Sequence, residues 1–147
     1  MNKLSFSFIC IALSLSACSN NSTSTLAEKV TKTDLQGSWL IETIEERPVI
    51  DRSPASITFT EDGKVSGNSS CNRLMSSYQL TQTDDGSNSK LKFSQAVGTM
   101  MMCSESLMNQ EQRFFSALTK VTRVTINNGF IMLTDDKHQL IFKASKQ

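Results

Sequence analysis

Short runs of β-branched and aromatic residues separated by turn signals fill most of this chain, and that alternation narrows its architecture more than any other feature. Residues 39–45, WLIETIE, form the first run. Residues 56–61 set Ile57 and Phe59 on one face and pass through Asp62 and Gly63 into residues 64–66. Asp-Gly is expected to make a two-residue hairpin turn in which both central residues take positive φ. Residues 78–83 and 90–94 flank the polar stretch 84–89, a second hairpin with a longer connection. Residues 121–127 and 130–134 then flank Asn128-Gly129, and residues 139–144 follow a turn at 135–138. Seven or eight strands in one small domain leave edges to protect, and closure or near-closure into a barrel is the simplest remedy.

One segment breaks the two-residue period. Between Glu105 and Thr119, Leu107, Met108, Glu111, Phe114, Phe115 and Leu118 recur at spacings of three and four, with Ser104 placed as N-cap and Glu105 near the positive helix end. The expected fold is therefore α+β, mainly antiparallel β: a partly closed small barrel of seven or eight strands whose sheet or mouth is covered by one amphipathic helix.

The N-terminus reads as an address. Lys3 precedes an apolar run from Leu4 to Leu15, too short to span a hydrocarbon layer of roughly 30 Å as a helix, so it is taken as a secretory signal. The run closes on Leu15, Ser16, Ala17 and Cys18, which resembles the bacterial lipoprotein box. That resemblance implies cleavage after residue 17 and a diacylglyceryl thioether plus an amide-linked acyl chain on Cys18; a plain secretory signal with an incidental cysteine is the alternative. Two or more acyl chains make attachment to a membrane durable. Ser19 stands where an aspartate retains many lipoproteins in the inner membrane, so the periplasmic leaflet of the outer membrane is expected. Residues 18–33, rich in Ser, Asn, Thr and Lys, read as a tether with little to bury, leaving residues 34–147 as one folded domain.

Residues 1–17 carry Lys3 as their one charge, so the remainder holds fourteen basic and fourteen acidic side chains. Such neutrality, with no Lys/Arg run, excludes the usual footprint of a nucleic-acid binder. Of the four cysteines, Cys10 falls in the signal and Cys18 at the anchor, leaving Cys71 and Cys103. In an oxidising envelope a disulfide is the default for that pair, with two free buried thiols as the alternative. Met100, Met101 and Met102, with Met75 and Met108 nearby, could be soft ligands for Cu(I), but methionine is also an ordinary filler of cores, and no metal is expected. Zinc is disfavoured because the one histidine, His138, lies in a distant turn. With one histidine and no isolated carboxylate pair the chain offers little for hydrolysis, and it is read as a non-enzyme. Glu111, the carboxylate on the apolar stripe, is expected to be partnered by backbone amides or by Arg73.

The remaining landmarks are Leu35, Gly37 and Trp39; Gly67, Cys71 and Asn72; Tyr78; Thr99, Met101 and Cys103; and Met108, Glu111, Phe115 and Leu118. Their order and spacing resembles the META domain family, which includes the heat-inducible HslJ-like lipoproteins of bacteria. The resemblance spans residues 34–143. It departs from the family pattern at Ser70, where glycine commonly precedes the cysteine, and at Ser76 and Ser77, where a glycine often precedes the tyrosine. It implies a single mixed α/β envelope domain associated with stress responses, drug tolerance, motility or secretion, and no catalytic residues. Gly37, Trp39, Gly67, Asn72, Tyr78, Thr99, Met101 and Glu111 carry over as signature positions only. Asn72 is expected to bridge the stretches 67–78 and 95–103. The Gly-x-Trp of Gly37 and Trp39 also resembles the opening of lipocalin barrels, in which the tryptophan closes the floor. The expected role is that of a monomeric, non-catalytic lipoprotein, held to the membrane by its anchor, that supports envelope integrity or stress and drug tolerance by binding another envelope component. A carrier or pilotin-like chaperone holding an acyl chain or hydrophobic small molecule is the alternative.

Overall fold

The computed structural model describes residues 29–83 and 89–147. The signal at residues 1–17, Cys18, most of the tether and residues 84–88 of the second hairpin lie outside them. Ten strands and two helices follow in chain order: α1 (Lys32–Leu35), β1 (Gly37–Ile44), β2 (Arg47–Pro48), β3 (Ala55–Phe59), β4 (Lys64–Asn68), β5 (Arg73–Gln82), β6 (Ser89–Phe93), β7 (Val97–Gly98), α2 (Glu105–Leu118), β8 (Arg123–Asn127), β9 (Phe130–Thr134) and β10 (Leu140–Lys146). Eight of the strands run antiparallel in the order β10-β9-β8-β6-β5-β4-β3-β1, and β1 pairs again with β10 through Trp39–Lys146 and Ile41–Ala144. The barrel is thus closed rather than partly closed. Its narrowest seam is β6 with β8, where only Ser89–Val124 and Lys90–Arg123 face each other. The two short strands are appendages, β2 on β1 and β7 on β5.

Alternation along the strands produces the core. Trp39 and Ile41 of β1, Ala55, Ile57 and Phe59 of β3, Leu74 and Tyr78 of β5, Leu91 of β6 and Ile131 and Leu133 of β9 all point inward and are buried. Phe59 meets Tyr78 edge-on at 5.2 Å and Phe93 at 6.0 Å. Helix α2 closes one mouth, with Phe114 5.1 Å from the ring of Phe142 and with Ala117 and Leu118 buried beside it. The interior is filled by the chain's own side chains.

Several local expectations need correction. The turn after β3 is not a two-residue hairpin: only Gly63 has positive φ (82°), and Thr60 N donates to Lys64 O across a three-residue loop. The Asp62 carboxylate there accepts from Lys64 and Thr60, which holds its pKa down at about 2. Asn128 and Gly129 do form the expected turn, at φ 51° and 79°. The tether ends earlier than residue 33. Val30 is buried, with its amide on the Ser89 hydroxyl (3.0 Å) and its carbonyl on the Gln82 amide (2.7 Å). Thr31 and Asp34 then cap α1 reciprocally, the bonds from Thr31 holding the Asp34 carboxyl below its ordinary value. Ser89, expected in a loop, is a buried residue of β6.

On α2 the buried face is turned from the expected stripe. Gln110 is buried with Phe114, Ala117 and Leu118, whereas Met108 is exposed. Ser104 stands at the N-cap, yet its hydroxyl meets Ser106 Oγ at 3.2 Å and caps no backbone amide.

Candidate functional site

Most of the signature positions converge beside the N-terminal half of α2. Cys71 and Cys103 are joined in a disulfide with Cα atoms 6.0 Å apart, so the free-thiol alternative falls away. This bond ties the turn after β4 to residues 99–103, a strap that runs outside the barrel into α2. Asn72, itself buried, holds the same strap by its main chain. Its Oδ1 accepts from Met101 N (2.7 Å) and Thr99 Oγ1 (2.8 Å), and its Nδ2 donates to Met101 O (3.3 Å) and Glu111 Oε2 (3.0 Å). Thr99 Oγ1 also accepts from Arg73 N (3.1 Å). One amide therefore pairs four groups from the strap and a helix, as a buried polar side chain must.

Glu111 has neither of the partners expected of it. Its carboxylate accepts from Ser69 Oγ (2.9 Å) and from Asn72 rather than from backbone amides or Arg73. Gln110, which the sequence reading passed over, is the second polar anchor: it accepts from Ile50 N (2.9 Å) and donates to the Ser70 hydroxyl. Ser70 sits at φ 93°, where glycine is at ease, the same position at which this chain departs from the family pattern. The signal for Gln110 was its own place in the helix, four residues before Phe114 on the buried face.

Gly67, on β4 just before this cluster, is required for a steric reason. A Cβ there would stand 2.1 Å from Ser56 O, so β3 and β4 can pair at this point only over a residue without a side chain. Gly37, Trp39 and Tyr78 lie elsewhere. Trp39 is buried, its indole N–H donating to Leu35 O (2.7 Å), and Gly37 takes φ 104° at the start of β1. The Tyr78 hydroxyl donates to Thr60 O (2.9 Å), and burial raises its pKa above 10.0.

The strap carries an unusual surface. Among the described residues seven large apolar side chains are exposed, and six of them, Met75, Val97, Met100, Met101, Met102 and Met108, belong to one face. They line two adjoining concavities of about 600 and 430 Å³ that share Gly98 and Thr99. Met100 is 99% and Met102 92% exposed, so these methionines are not the core fillers that the sequence suggested. Phe115 floors the second hollow, and Arg73, Ser66 and Asn68 edge the first.

A family model for the META domain matches residues 28–147, which takes in the barrel, the strap and α2. The chain belongs to the META domain family. Two solved structures share this META fold: an NMR structure of a protein from Burkholderia xenovorans, 27% identical over 79% of this chain and 86% of that one, with a TM-score of 0.62, and a second NMR structure, 23% identical over 80% of this chain and 95% of its own, with a TM-score of 0.61. No curated protein matches the chain significantly in sequence. Among the described residues no group of His, Cys, Asp and Glu is arranged to hold a metal ion, and no helix is long and apolar enough to cross a membrane.

Proposed function

We propose that this META domain protein is a non-catalytic, monomeric cell-envelope lipoprotein, acylated on Cys18 after loss of residues 1–17, that supports envelope integrity or stress tolerance by holding another envelope protein against its methionine face. One observation carries the reading: the gathering of six of the seven exposed large apolar side chains into two connected hollows on a cross-linked strap. Soluble domains rarely leave such a patch uncovered, and flexible thioether side chains adapt to a partner's surface without a fixed shape.

The geometry favours a protein over the lipid surface. The chain enters the domain at Val30, pinned beside Gln82 and Ser89. Met75 lies seven residues back along β5, about 25 Å away at a strand's rise per residue. The described chain thus enters the barrel at the end of β5 remote from Met75. The carrier alternative would place an acyl chain inside the barrel, where Trp39, Phe114, Phe142 and Leu91 already pack.

A photo-reactive residue at Met100 in living cells, with one at Lys137 on the turn before β10 as control, tests the reading. A defined protein adduct from the Met100 position, lost when Met75 and Met102 are both replaced by Asp, is the expected outcome. Adducts to lipid alone, or equal capture at both positions, would refute it. Labelling with a radioactive fatty acid, abolished in Cys18→Ser, checks the anchor.

A further inference from the structure

Five of the six described methionines project from a single face: Met100 and Met102 almost completely, Met75 and Met101 by 65% and 60%, Met108 by 45%. The sixth, Met132, is half-buried on β9. Thioether oxidation follows access to solvent, so this face concentrates the oxidisable sulfur of the domain. The thiols that would otherwise compete, Cys71 and Cys103, are already spent in a disulfide. Among the described residues the one other reduced sulfur is that of half-buried Met132.

The strap separates side-chain chemistry from the fold. The main chain of Met101 is held through both its N–H and its C=O by Asn72, Thr99 is bonded to Asn72 and Arg73, and the disulfide fixes the strap at Cys103. None of these bonds uses a methionine sulfur. Changing the thioethers therefore changes the polarity of the hollows and leaves the barrel, whose interior holds no methionine among its fully buried residues, as it is.

We propose that Met100, Met101 and Met102, with Met75 and Met108 at the rim, are a site of reversible oxidation by hypohalous acid or peroxide that turns the face from apolar to polar. Each sulfur gives up two electrons and gains the oxidant's oxygen; with hypochlorous acid the chlorine leaves as chloride and the hydroxyl proton is released, and with hydrogen peroxide the other product is water. A dithiol reductase reverses the step, its two thiols closing to a disulfide while the sulfoxide oxygen departs as water. A sulfoxide oxygen is a strong hydrogen-bond acceptor, and an apolar partner must desolvate it to bind. Release of a partner on oxidation rests on the function proposed above; the chemistry of the site does not.

The test uses the purified, disulfide-bonded protein, treated with graded sub-stoichiometric hypochlorous acid and then with methionine sulfoxide reductases and a dithiol. Tryptic cleavage separates the groups: residues 93–113 carry Met100, Met101, Met102 and Met108, residues 74–90 carry Met75, and residues 124–137 carry Met132. Expected are oxygen addition to 93–113 first, with Met100 and Met102 leading and Met132 several-fold slower; unchanged Trp39 emission; loss of binding of an environment-sensitive apolar dye; and recovery of dye binding after reduction. A variant with leucine at all five positions should bind the dye and resist the oxidant. Oxidation of Met132 at the rate of Met100, unfolding on oxidation, or dye binding that survives oxidation each overturns the proposal. The cross-linking from Met100 is then repeated in oxidant-treated cells. Undiminished capture refutes the switch and leaves the docking face standing, whereas absence of any protein adduct before treatment refutes the docking and leaves the peptide and dye results to decide the site.

Discussion

Replacing Ser70 by alanine and by glycine separates two effects that meet at one residue. Its main chain is held at φ 93° by Asn68 Oδ1, which accepts from Ser70 N (2.9 Å), and by Ser53 Oγ, which donates to Ser70 O (2.7 Å). Its hydroxyl takes the amide proton of buried Gln110. Both variants lose that bond, which leaves a donor unpaired at a cost of about 1 to 3 kcal/mol. Only alanine keeps a Cβ in the left-handed region, at a penalty of about 1 to 2 kcal/mol. Glycine escapes that penalty and gives back part of the gain as greater freedom of the unfolded chain, roughly 0.4 to 1 kcal/mol. Ser70→Gly should thus be more stable than Ser70→Ala by about 1 kcal/mol, while remaining about 1 kcal/mol below the natural protein. Urea unfolding followed by the emission of Trp39, the one tryptophan, reads the difference as a midpoint separation of about 0.5 M. Equal midpoints, or an alanine variant above the glycine one, would show that Ser70 carries no backbone strain and that the reasoning is wrong.

Other expectations follow from the same structure. Opening the disulfide by the double change Cys71→Ser and Cys103→Ser frees a loop with a separation of 32 residues and should lower stability by about 3 to 4 kcal/mol on the chain-entropy model, measured in the same urea experiment. Gly67→Ala forces a methyl group onto Ser56 O and should cost about 3 kcal/mol, whereas Gly129→Ala, where a Cβ meets nothing within 4 Å, should cost only about 1 kcal/mol for its positive φ; similar losses at both positions would contradict the β3–β4 geometry. Tyr78 is the one tyrosine, so absorbance of tyrosinate reports it alone. Burial raises its folded pKa above the ordinary value of 10.0, so the folded state keeps a proton that the unfolded state releases, and stability should fall as pH rises through and beyond 10.0. A titration midpoint at or below 10.0 would refute the burial of its hydroxyl.

How far the fold could be read in advance depended on whether each element advertised itself. Strands β3, β6, β8 and β9 alternate along their length, and β10 does so beyond the adjacent buried pair Ile141 and Phe142, so their positions agree with the reading to within a few residues. β5 begins five residues before its expected start because the serines at 76 and 77 mask the inward pair Leu74 and Tyr78. β2 was missed because its turn is made by Glu45 and Glu46, both at positive φ (48° and 63°), a conformation glutamate does not signal. The convergence of Asn72, Thr99, Met101, Cys103 and Glu111 was legible as a set of positions, but not its geometry, since the partners of a buried amide depend on contacts distant in sequence. The methionines were misjudged because hydropathy cannot tell an inward thioether from an outward one. Their direction is decided by a strap that Asn72 and the disulfide hold outside the barrel.

Closure through β1 and β10 bears on how the molecule is made. β1 has two neighbours near in sequence, β2 and β3, along one side and β10 along the other, so one row of its main-chain amides waits unmet until the far strand of the domain has been made. Until then the half-formed sheet has two unpaired borders, and the β10 of a second copy can fill the gap as well as its own can. Crowded nascent chains are thereby exposed to exchange of β10, and the speed with which that strand docks decides whether they emerge single or entangled.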